Sequence, residues 1–396
     1  MKKPMILVML TVVLMLFAAG CATKQVSKCT APGDTPQQNY VAGMEVLQLG
    51  DMAVAQTKFE RALYCDEDFP PAYGGLAIVY AYKTSLQRDP DFESVERNRT
   101  LEYVKKFGKA INSSEDRFAF YLAVIRVNTF MDGKNWLPKT EDAYKRAQKV
   151  TVNEKTLLYY GGVESLDYFM GLAYMRAQDF QKARNMFSLV LNTKKDSKWN
   201  GYTDIAWKKN DKIARAVSGI SLGEMGKRIA VQNSITRGDL VVLLVGELDM
   251  RKLYTGQVFQ QELVPVDIKD YPFKEEALTV LKYKIRGLEL KYDNASKSYL
   301  FNPGDIVKRG EMAFILEDIL MKTTGDNTLA TKYFGQEKSP FTDVRPTSPF
   351  YNAVMNMTTR GIMESDMSGI FRVDAPVDGA EAILAVRMLK QSLTVR

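Results

Sequence analysis

The chain has 396 residues, 26% of them charged, and a formal net charge of +7 at neutral pH. That length exceeds one ordinary domain and is enough for two cores. The basic excess is modest: it suits a partner with anionic groups without marking a nucleic-acid binder. The sequence contains no histidine, which removes the usual general base, the Ser-His and Cys-His nucleophile pairs and most catalytic zinc sites. Adjacent carboxylates such as Glu115/Asp116 and Glu275/Glu276 read as solvated helix faces. Gly74-Gly75 and Gly161-Gly162 lie in helix-like contexts with no following Lys-Ser/Thr, so no phosphate-cradling loop is visible. The expectation is a protein that is not an enzyme and uses no cofactor and no metal.

Residues 1–20 read as an export leader. Lys2 and Lys3 precede an apolar run over 5–17, and Ala18-Ala19-Gly20 stands directly before Cys21. The small residues ending in Gly-Cys resemble a bacterial lipobox, which implies that Cys21 is lipidated and becomes the new N-terminus; an ordinary secretory leader is the alternative. Ala22 rather than Asp after it resembles an outer-membrane address, so the expected location is an outer-membrane lipoprotein facing the periplasm. Residues 21–36 are polar and read as a flexible tether. The two remaining cysteines, Cys29 and Cys65, are expected to pair in an oxidising compartment, two free thiols being the alternative.

Helical periodicity begins near Asn39. Gly43, Ala55, Phe59 and Ala62 fall at positions 8, 20, 24 and 27 of a unit starting at Pro36, and Gly171, Tyr174, Ala183 and Phe187 repeat much of that spacing. Small residues let two antiparallel helices approach while the Phe fills the space between them. The pattern resembles the tetratricopeptide repeat (TPR), which implies a stack of helical hairpins over 37–195 with a groove for a protein partner. Between these instances, 72–82 with 101–111 and 117–130 with 140–150 are expected to form further hairpins, the first interrupted by a polar insertion over 87–98. Residues 193–201 read as a charged boundary loop, with one or two helices following over 205–223.

Three related stretches organise the rest: Ile235-Thr236-Arg237-Gly238-Asp239, Val307-Lys308-Arg309-Gly310-Glu311 and Val377-Asp378-Gly379-Ala380-Glu381. Each ends a loop and opens an apolar-periodic run, over 240–248, 312–320 and 382–389. Thr236 and Asp378 can cap a helix, and Asp239 and Glu381 can reach back to the cap's own N–H. Lys308 in the middle copy predicts a weaker start. In two copies an arginine takes the first helical position, beside free N–H groups that suit an anion. Upstream, Asp267 and Asp343 each precede an alanine by ten residues, and Phe301 and Phe371 each precede the helix start by eight. Tyr202-Thr203-Asp204-Ile205 is similar to Phe341-Thr342-Asp343-Val344 and would be a third front half.

Phe341-Thr342-Asp343-Val344, Arg360-Gly361-Ile362, Phe301-Asn302-Pro303-Gly304 and Ile235-Thr236-Arg237 together resemble the S-layer homology (SLH) domain. The resemblance covers about 200–396, with repeats near 202–253, 265–322 and 340–391. It implies an all-α chain whose second half is a pseudo-threefold helical bundle with long loops. Its inter-repeat grooves would hold cell-wall polysaccharide or peptidoglycan through Arg237, Arg309, Asp267 and Asp343. Gly379 stands where a third arginine would, which implies a weakened groove there. The implied whole is a non-catalytic envelope tether; the alternative is an adaptor or assembly factor working through the helical repeats. No nucleic-acid partner is expected.

Overall fold

The computed structural model describes residues 28–29, 31–193, 196–254 and 264–394. Cys21, the expected leader and most of the expected tether lie outside the described residues. The described residues are mostly helical, with sixteen α-helices and one two-stranded hairpin. None of those helices is long and apolar enough to cross a membrane. The chain divides into two compact units, 1–203 and 204–396.

In the first unit the helices are α1 Pro36–Gln48, α2 Met52–Cys65, α3 Pro70–Leu86, α4 Pro90–Ala110, α5 Ser114–Met131, α6 Trp136–Ala147, α7 Glu164–Arg176 and α8 Phe180–Leu191. Their starts are written in the sequence: Thr35, Asp51, Asp89, Ser113 and Asp179 each accept a first-turn N–H through the side chain. Close approach of paired helices depends on glycine. A Cβ on Gly43 or Gly75 would strike the ring of Phe59, one on Gly74 the ring of Phe107, and one on Gly171 the ring of Phe187. All three rings are buried. Cys29 and Cys65 form a disulfide that joins the start of the described chain to the end of α2.

Two local expectations fail in this unit. The polar stretch 87–98 is not an interruption, because α4 starts at Pro90 and runs through most of it. Asp89 caps the helix, Pro90 supplies a preset φ at its first turn, and only Thr100 and Phe107 are buried, so a helix can be polar almost all round here. Gly161 lies in a loop with φ +66°, a left-handed backbone suited to glycine, rather than in a helix.

An aromatic cluster gathers around Trp199. Trp199 is fully buried, and its indole N–H donates to the Tyr160 carbonyl at 2.7 Å. Its ring packs against Tyr159, Tyr168 and Phe169 within 6 Å. The Arg126 guanidinium from α5 lies 4.4 Å from the centre of the Phe169 ring. Aromatic packing of this density holds the segment before α7 in place.

α9 runs Lys198–Val217, so the helix starts inside the stretch read as a boundary loop, and the division between units falls within it. The second unit continues with α10 Gly223–Ala230, α11 Arg237–Gly246, α12 Met250–Leu253, α13 Lys274–Lys282, the hairpin β1 Lys291–Asp293 and β2 Ser298–Leu300, α14 Arg309–Thr324, α15 Tyr351–Thr359 and α16 Gly379–Thr394. Tyr202-Thr203-Asp204-Ile205 sits inside α9, where the Asp204 carboxylate pairs with Lys208 one turn on. The motif thus lies within a helix, whereas Asp267 and Asp343 stand ahead of theirs.

The three stretches before α11, α14 and α16 meet in a closed ring. The Ile235 N–H donates to Val377 O at 2.9 Å, Val307 N–H to Ile235 O at 3.0 Å, and Val377 N–H to Val307 O at 3.0 Å. These three side chains are buried together at the helix starts. The next amides, normally orphaned at a helix N-terminus, are satisfied by loop carbonyls: Arg237 and Gly238 donate to Asp305 and Pro303, and Arg309 and Gly310 to Ala375 and Val373. Gly379 donates to Gln232 instead.

Candidate functional site

The ring positions the four residues singled out above. Arg237 opens α11 and is 6% exposed; Arg309 opens α14 and is 5% exposed. Thr236 caps α11 and Asp239 reaches back to it, a reciprocal pair. In the middle copy the Lys308 side chain does not cap, yet Glu311 accepts the Lys308 N–H at 2.9 Å. In the last copy Asp378 accepts the Glu381 N–H at 2.9 Å. The Glu381 carboxylate, expected to reach back to the cap, pairs with Arg309, whose guanidinium offers a full opposite charge.

Each arginine and its aspartate converge on one phenylalanine. Arg237 Nε donates to Phe301 O at 3.0 Å, while Asp267 Oδ1 accepts the Phe301 N–H at 3.1 Å and Oδ2 the Asn302 N–H at 2.6 Å. Arg309 Nε donates to Phe371 O at 2.6 Å, while Asp343 accepts from the N–H groups of Phe371, Arg372 and Val373. The guanidinium carbons lie 4.9 and 4.5 Å from the centres of the Phe301 and Phe371 rings. Further donors reach the loop roots. Arg237 bonds Gly287 O at 2.7 Å and Glu289 O at 3.1 Å, and Arg309 bonds Glu364 O at 2.6 Å. Both arginines therefore hold loops through backbone carbonyls.

The electrostatics follow from this geometry. Burial lowers the Arg237 pKa, against nearby carboxylates led by Asp305. Burial first, and then the Arg372 guanidinium, pull Arg309 down to about 10. At that value Arg309 stays cationic at neutral pH. At Asp343 partial burial pushes the pKa up, but the N–H groups donated to it outweigh that and leave it below the usual carboxylate range.

A cleft of about 310 Å³ opens beside Arg309. Its wall carries Lys212, Arg215, Arg309 and Arg372 together with Glu364, Asp366 and Glu381. Gly361 and Ile362, part of the recognised pattern, line it as well. Lys212 pairs with Asp378, and Arg372 is exposed. Cations and carboxylates side by side suit a ligand with both anionic groups and hydroxyls.

Sequence reading missed a second polar assembly. Glu317 and Asp318, 2% and 3% exposed, hold Arg286 at 3.3 and 2.8 Å, and Glu317 also accepts from Asn352 and Asn356 at 2.6 Å each. Two acids inside the apolar run of α14, and two asparagines one turn apart on α15, were the available signals.

With this geometry in place, comparison with known proteins finds one family. Residues 340–383 match the S-layer homology domain. No curated protein and no solved structure matches the chain. The chain thus carries an SLH domain over the segment holding Asp343, Phe371 and the start of α16. SLH domains are non-catalytic modules that bind cell-wall polysaccharide, so the chain is associated with the cell envelope.

Proposed function

We propose that this chain is a non-catalytic outer-membrane lipoprotein, anchored by lipid at Cys21, that tethers the envelope by gripping cell-wall polysaccharide or peptidoglycan through 204–396. The observation that carries the proposal is the duplicated clamp: Arg237–Phe301–Asp267 reproduces Arg309–Phe371–Asp343, whose Asp343 and Phe371 fall within the matched SLH segment. The closed ring of hydrogen bonds supports a pseudo-threefold SLH-like arrangement, and the Gly–Phe contacts of the first unit support TPR-like hairpins. In this reading Lys212, Arg215 and Arg372 face the polymer's anionic groups across the cleft, and Arg309 and Asp343 fix the cleft's loop beside them. Arg237 and Asp267 do the same for the loop that carries the β-hairpin. A lipid that confines the protein near the wall turns modest contacts into a firm hold.

Pelleting with isolated wall sacculi tests the proposal. Binding should fall with salt and drop about tenfold in an Arg215→Glu/Arg372→Asn variant, which alters the cleft's rim and leaves the buried clamps intact. Asn tolerates the positive φ of 59° that Arg372 adopts. Unchanged binding by a variant that melts like the parent defeats the assignment of the cleft.

A further inference from the structure

We infer that the first unit carries a site for a basic peptide segment, in a cleft of about 360 Å³ where the starts of α1, α3 and α5 meet residues 156–160. The floor is apolar, with Tyr40, Phe69, Pro70, Ala119 and Leu157 among its residues. The rim carries Asp66, Asp68, Glu115 and Asp116, and no lysine or arginine lines the cleft.

Acids near helix starts have an ordinary role, so their number must be weighed against the helix ends. Each N-terminus contributes roughly +0.5 charge, and three of them offset about 1.5 of the four formal negative charges. More than two negative charges remain. Among the described residues none of the four carboxylates forms an ion pair, in a chain that is basic as a whole. Their local duties are light. Glu115 accepts the Asn153 N–H at 2.9 Å and a contact from the Thr156 hydroxyl, Asp116 accepts the Asn112 N–H at 3.4 Å, and Asp66 accepts the Asp68 N–H at 2.9 Å. Each carboxylate keeps lone pairs for a donor from outside.

An apolar floor beneath a negative rim matches one side-chain chemistry. The methylene stem of an arginine or lysine lies on the floor while its head reaches the carboxylates. A hydrated metal ion has no use for the floor, and an acidic peptide is repelled by the rim. Tyr159 and Tyr160, which pack against Trp199, form part of the cleft's wall.

The test is fluorescence anisotropy on the purified full chain with the labelled peptide Leu-Arg-Phe-Lys amide, against its counterpart with norleucine for both cations. The basic peptide should bind at least about tenfold tighter, and its advantage should shrink as salt rises. Asp68→Lys, at an exposed carboxylate, should weaken it about tenfold; Leu158→Arg, at a rim position 45% exposed, should do so by placing a tethered cation in the cleft. Equal binding of the two peptides, no measurable binding of the basic one, or full affinity in both folded variants overturns the inference.

Discussion

Replacing Arg237 by alanine separates a loop-holding arginine from one that merely meets a ligand. The Phe301 carbonyl is buried and would lose its side-chain donor, which costs about 1–3 kcal/mol. The Gly287 and Glu289 carbonyls are part-buried and can regain water, for about 0.5–1.5 kcal/mol each. The lost ring contact adds about 0.5–1 kcal/mol. The expected destabilisation is therefore about 4 kcal/mol, large for a single substitution. Arg237→Lys offers one compact ammonium for three carbonyls and should recover only about half of that. Two compact units make global unfolding unsafe to treat as one transition. Hydrogen exchange read on peptides spanning 287–302 is the sharper assay. The Phe301 and Asn302 amides bonded to Asp267 should exchange roughly a hundredfold faster in Arg237→Ala, with α1–α8 unaffected. A loss below about 1 kcal/mol with unchanged exchange in 287–302 would refute the clamp.

Three further outcomes are expected. Asp343 is held below the ordinary carboxylate range, so its stabilising contribution is present above about pH 4 and is lost as pH falls through its lowered folded value. Asp343→Asn should flatten that acid limb in calorimetry, with about 1–2 kcal/mol lost at neutral pH. A Cβ on Gly379 would overlap the Ile229 carbonyl oxygen, so Gly379→Ala should cost about 2 kcal/mol or more by urea unfolding and an arginine there should not be accommodated. Reducing the Cys29–Cys65 bond, which closes a sequence separation of 36 residues, should destabilise the first unit by about 3–4 kcal/mol and release two titratable thiols.

What could be read without coordinates was whatever the backbone imposes at fixed spacing. The Phe–helix-start interval recurs because one carbonyl must meet an arginine at the first helical position, and the Asp is set because it takes the same Phe's N–H. Gly43, Phe59, Gly171 and Phe187 were visible for a similar reason: close helices leave room for hydrogen at one place and a ring at another. Features decided by distant partners were not visible. Asp204 matched a four-residue pattern, but it lies inside a helix, where its carboxylate pairs with Lys208 one turn on. Glu381 looked like a capping acid until Arg309 arrived from another segment. α4 was hidden by its own polarity, although Asp89-Pro90 gave a start signal that outranks the missing apolar stripe.

The position without an arginine explains why the proposed grip concentrates on one cleft. At α11 and α14 the first helical residue reaches across to the loop of the following segment and fixes its Phe. At α16 that role is closed off, because the backbone of Ile229 and Ala230 packs against Gly379 and leaves no room for a side chain. The Gln232 carbonyl takes the Gly379 N–H, the part that the Asp305 and Ala375 carbonyls play at α11 and α14, so only the guanidinium contact is missing here. The ring still closes, with two loops held by side chains and one joint held by backbone. Of the two clamped loops, the one beneath Arg309 lines the cleft with the cationic rim, and Arg372 sits on the very turn that Asp343 fixes. Rigid loop roots and a charged, accessible edge are distinct requirements for holding a polymer. The buried arginine and aspartate meet the first, and the exposed arginines beside them meet the second.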